Sequence, residues 1–130
     1  MPRERYYKNL FLVGALWNWG ATGLFFVAWA PLFSLVGLAP PASPVFLKLF
    51  LALAFVFGIG YFWVSQDLAG NPAVVQMGIL GKVAVFVLMA YYWLIGHIPF
   101  VLAMTGVVDL IFAILFIEFL FTRKRASFQG

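Results

Sequence analysis

The chain has 130 residues, of which 65% are hydrophobic and only 9% charged, and its mean hydropathy is +1.06. A soluble domain is nearer half apolar and about a quarter charged, so too little polar surface is present to keep a compact monomer in water. The net charge of +4 does not point to nucleic acid, because Arg3, Arg5, Lys8, Arg123, Lys124 and Arg125 crowd the two chain ends, as basic residues do where a membrane protein meets the cytoplasm.

Cysteine is absent and His97 is the only histidine. Disulfides, thiol catalysis and a multi-histidine metal site within one chain are thereby excluded. No phosphate-cradling loop, Ser-His-Asp set or haem ligand pair is present, so no cofactor is expected and an enzyme is not indicated.

A spanning helix needs roughly 20 mostly apolar residues, and four stretches supply them. The first follows Arg3, Arg5 and Lys8, which resemble a signal-peptide n-region. The apolar run is too long for an h-region and no polar domain follows it, so a retained helix is expected over residues 8–30, ended by Pro31. The segment 31–44 is apolar and should lie along the outer interface or fold back over the bundle. The second helix is expected over 45–65, after Pro44, a favourable first-turn residue.

A polar turn, residues 66–72, leads into a third helix over 73–96. In that turn Asp67 and Asn71 are expected to cap the neighbouring helices. The short link at 96–99 makes the third helix and the fourth, 99–122, an antiparallel pair. Continuously apolar runs argue against strands. The expected fold is one all-α domain, residues 1–130: an integral membrane four-helix bundle running up-down-up-down. With an even number of crossings, the positive-inside rule puts both termini on the cytoplasmic side of an inner membrane. Trp29, Trp63, Trp93, Tyr6, Tyr7, Tyr91 and Tyr92 fall near helix ends, as aromatic belts do.

The residues that hydrocarbon should exclude are the candidates for function. Asn18, Lys82 and Asp109 lie inside the first, third and fourth helices. At 1.5 Å per residue they stand roughly 15, 14 and 20 Å from the inner surface, and a lysine stem can cover the difference. A buried Lys82–Asp109 ion pair is expected, with Asn18 as a hydrogen-bonding neighbour and the Tyr61 hydroxyl within reach. Small residues accompany each: Gly14 and Ala15, Ala54 and Gly58, Gly78 and Gly81, Thr105 and Gly106. They let membrane helices approach closely.

The plainer reading of such a pair is that it fixes helix register; the alternative is a site that binds or moves a small molecule, lipid or ion. Glu118, near the inner interface, is expected to pair with Arg123 or to meet lipid-facing water, and His97 to be a solvated interfacial residue. Trp17 and Trp19, on either side of Asn18, pack in the core or stack on a flat ligand. The small-residue stripes would equally serve a homodimer or a place in a larger membrane complex as an accessory subunit. An intramembrane enzyme acting on a lipid or quinone is a third alternative.

Four short motifs carry a resemblance: LWNWG around Asn18, GIGY ending at Tyr61, GILGK ending at Lys82 and TGVVD ending at Asp109. In these marks the chain resembles small four-helix bacterial inner-membrane proteins of DoxX type. The glycine and lysine spacing of DoxX itself is not clearly present. The resemblance implies a quinone-side or accessory role beside a membrane redox complex, and it brings no catalytic residue with it.

Overall fold

The computed structural model describes residues 2–125, and all four helices are present: α1 (Pro2–Leu35), α2 (Val45–Gln66), α3 (Pro72–Leu94) and α4 (Phe100–Arg125). Among the described residues there is no strand. Each helix is long and apolar enough to cross a membrane, which makes the chain a multi-pass membrane protein. Its outer faces agree with a lipid solvent: Val27, Phe46, Leu53, Leu80, Leu94 and Phe121 all stand exposed. In water such a surface would be a severe liability. In hydrocarbon only the backbone must be satisfied internally, and helices do that.

α1 is longer than expected at both ends and does not stop at Pro31. Proline lacks an N–H and its ring crowds the carbonyl four residues back. The helix absorbs this by leaving helical geometry at Ala28 (φ −117°, ψ 35°) and resuming as far as Leu35. The proline therefore bends the helix instead of ending it. Termination comes at Gly37 (φ +87°): Leu38 N–H bonds to Phe33 O at 2.9 Å and Gly37 N–H to Ser34 O at 3.1 Å. This is a Schellman cap, which needs a residue that tolerates positive φ. α3 ends the same way at Gly96 (φ +81°), with His97 N–H on Tyr92 O at 2.8 Å. The exposed His97 ring stacks on Tyr92.

The start of α1, the end of α4 and the α2–α3 turn share one end of the bundle, here the proximal end; the other two connections form the distal end. Arg123 reaches from α4 to the Ala69 carbonyl in that turn. Asp67 ends α2, and its Oδ1 accepts Gly70 N–H at 3.1 Å. Asn71 precedes α3 but makes no side-chain cap; its amide donates instead to Asp67 O at 3.2 Å. The expected pair of side-chain caps is thus replaced by a turn that closes on itself.

α1 with α2, and α3 with α4, form two hairpins. Glycines set how near the helices come. A Cβ at Gly58 would stand 2.7 Å from the Trp19 ring of α1, and one at Gly78 would stand 2.6 Å from Tyr61 of α2. The hairpins meet in the proximal half around Tyr7, Phe11, Tyr61, Val64, Val75, Phe116 and Phe119, all buried. Phe11 stacks on Phe116 with ring centroids 4.5 Å apart, and Tyr61 lies edge-on to Phe116 at 5.2 Å.

Candidate functional site

Just distal to this aromatic plug the three polar residues meet. Lys82 Nζ donates to Asp109 Oδ1 at 2.8 Å and to Asn18 Oδ1 at 3.2 Å. Asn18 Nδ2 donates in turn to the Ala54 carbonyl of α2 at 2.8 Å. All four helices are thereby tied at one level. The Lys82 side chain is 5% exposed and that of Asp109 17%. Asp109 Oδ2 takes no hydrogen bond from any described residue.

Removing an ammonium from water is expensive and is offset only by good geometry and further partners. Lys82 has them. Besides its ion pair and amide, its Nζ lies 5.2 Å from the Tyr61 ring centroid and 5.1 Å from that of Phe112. Aromatic faces attract a cation most strongly where water is absent. Tyr61 joins the cluster through this ring face and not, as expected, through its hydroxyl. That hydroxyl sits over Gly78, where an added Cβ would come within 2.9 Å of it. The glycine one turn before Lys82 therefore lets the tyrosine ring slide beneath the ammonium.

On its distal side the cluster is not packed over. A cavity of about 440 Å³ begins at Asn18, Lys82, Asp109 and Tyr61 and runs between the hairpins. Along α2 its lining extends from Tyr61 to Leu47, about 21 Å of helix at 1.5 Å per residue. Its walls are otherwise hydrocarbon and aromatic, with Phe57, Val85 and Met89 among them. Two hydroxyls on the wall are turned back into their own helices: Thr22 donates to Asn18 O and Thr105 to Leu102 O. The bend at Ala28 brings Phe33 to the cavity, where it meets Phe25 edge-on at 6.2 Å. Phe50 and Leu53, exposed on α2, form its rim.

Trp17 lines the cavity, whereas Trp19 packs against the core beside Phe55 and Phe62. Trp19 thus takes the core-packing reading. Glu118 does not pair with Arg123. It meets Arg3 at 3.3 Å and accepts from the Tyr7 hydroxyl at 2.9 Å, and Arg3 donates to Tyr7 at 2.6 Å. That group clips α1 to α4 at the proximal end and lies on the far side of the Phe11–Phe116 stack from the cluster.

Sequence reasoning did not find the cavity, Phe112 or the Ala54 carbonyl. Phe112 had a signal, since it follows Asp109 by one helical turn. The cavity had none, because it depends on how far the hairpins diverge. Among the described residues no group of His, Cys, Asp or Glu could hold a metal ion. No family model, curated protein or solved structure matches this chain.

Proposed function

We propose that this is a bacterial inner-membrane protein, with both termini in the cytoplasm, that binds a small apolar-bodied molecule between its hairpins. The orientation is supported by charge: basic residues gather at the proximal end, and the two distal connections contain no Lys or Arg. The bacterial setting rests on the resemblance of the short marks around Asn18, Tyr61, Lys82 and Asp109 to DoxX-type proteins.

One observation carries the function. The only ion pair among the described residues that is buried in the membrane interior stands at the blind end of an apolar cavity of ligand size. Binding pockets commonly occupy about 300–1,000 Å³ and combine apolar walls with a few convergent polar groups. A pair needed only for helix register has no use for such a space beside it. Binding is favoured over conduction, because Phe11, Phe116 and Tyr61 seal the cluster from the proximal end.

The test compares wild type with Gly81→Leu. Gly81 lines the cavity, and a Cβ there meets nothing closer than Phe57 at 3.9 Å, so a leucine at this position is expected to occupy cavity space. Native mass spectrometry of protein extracted with its own lipids should show one retained small molecule in wild type and none in the variant. Bare protein in both cases, or equal retention, refutes the function.

A further inference from the structure

We infer that the molecule held in this cavity is a neutral lipid bearing a single hydroxyl, an apolar alcohol whose oxygen sits between Asn18 and Asp109. The inference rests on the binding function proposed above and names its ligand class.

Hydrogen-bond capacity at the blind end is specific. An ammonium has three N–H donors and an amide nitrogen two. Lys82 spends bonds on Asp109 and Asn18, and its remaining surface faces the rings of Tyr61 and Phe112. Asn18 spends one N–H on the Ala54 carbonyl, which leaves the other. Asp109 has a carboxylate oxygen without a protein partner and lines the cavity. One spare donor and one spare acceptor therefore flank the same ammonium. A hydroxyl satisfies both; an ether or a ketone can satisfy only the donor.

Charge narrows the class further. The cluster is neutral as a pair, and α4 places Asp109 about 14 Å from its distal start at Phe100. A carboxylate ligand would compete for Lys82 and an amine for Asp109, and each would leave a net charge deep in hydrocarbon. The walls rule out a polyhydroxylated head. Thr22 and Thr105 give their hydrogens to their own helices, and the remaining surface is apolar.

Access suits a ligand already dissolved in the bilayer. The close contacts between α2 and α3 occur at Gly60–Val74 and Gly78–Tyr61, both toward the proximal end. Beyond them the rim of exposed Phe50 and Leu53 faces the acyl chains.

The experiment titrates delipidated protein in dodecyl maltoside with farnesol and with farnesyl methyl ether, reading the thermal unfolding midpoint. Farnesol should bind about tenfold tighter or more, the effect of one hydrogen bond to a charged group. The Lys82→Met/Asp109→Leu double variant should lose that preference and bind both compounds as weakly as wild type binds the ether. Gly81→Leu should bind neither. Equal affinity of wild type for the two compounds overturns the ligand class while the cavity remains a site. Tighter binding of farnesoic acid or farnesylamine than of farnesol overturns it as well. No binding of any of them by wild type overturns the class and counts against the binding function too. The wild-type comparison decides the matter even if the double variant does not fold.

Discussion

The proximal and distal halves of the bundle are built from the same greasy residues and end up differently. In the proximal half four helices close around stacked aromatic rings, with Phe11, Val64, Val75 and Phe116 wholly buried. In the distal half the hairpins part around a cavity. The difference lies in where the small residues fall. Gly14, Gly60 and Gly78 sit at crossings between hairpins in the proximal half, where an added Cβ would meet Phe116, Val74 or Tyr61 at 3.4, 2.9 or 2.6 Å. On the distal stretch of α2 the positions that line the cavity or its rim are Leu47, Phe50, Leu51, Leu53 and Ala54, mostly too large for backbones to approach. In lipid no hydrophobic force drives helices together, so packing of small residues decides where they touch. The polar cluster stands at the border of the two regimes, packed on one side and open on the other.

That contrast can be broken most severely through the ion pair. Asp109→Leu alone leaves Lys82 buried without its counter-charge, and loss of one partner typically costs about 3–5 kcal/mol. The thermal midpoint in detergent should fall sharply. The double variant Lys82→Met/Asp109→Leu should recover most of that loss, because well-packed apolar replacements of a buried pair are near neutral. Next comes the proximal packing. Gly78→Ala forces a Cβ against Tyr61, and overpacking typically costs about 1–3 kcal/mol. The same change at Gly81 should leave the midpoint unchanged, since a Cβ there meets Phe57 only at an ordinary van der Waals distance of 3.9 Å. A matching loss at both glycines would remove the distinction between the halves. The smallest effect belongs to Arg3→Ala. Its pair with Glu118 is more than half exposed on the arginine side, and exposed pairs are screened by solvent and contribute little. A double-mutant cycle with Glu118→Gln measures it.

Much of this architecture is legible in the residues. Continuous apolar runs, broken by turn residues, mark four crossings in an all-α membrane bundle. Asn18, Lys82 and Asp109 are conspicuous because hydrocarbon excludes them, and counting residues from the helix ends is enough to bring them to one level. Pro31 misleads because a proline ends helices readily in water, where freed backbone groups find solvent. In a bilayer they must be satisfied internally, and the helix bends instead. Glu118 misleads because the nearest basic residue in sequence is not the nearest in space: the up-down-up-down order returns α4 beside α1, where Arg3 and Tyr7 wait. The cavity could not be read at all, since it arises from the spacing between two hairpins and not from any one helix.

Whether the cluster is a lock or a site can be decided by one measurement: native mass spectrometry of the Lys82→Met/Asp109→Leu variant, extracted with its own lipids beside wild type. The account predicts a folded variant of near wild-type stability that has lost the small molecule wild type retains. A folded variant that keeps that molecule at wild-type stoichiometry would contradict it, and would reduce the Asn18–Lys82–Asp109 network to a device that sets helix register.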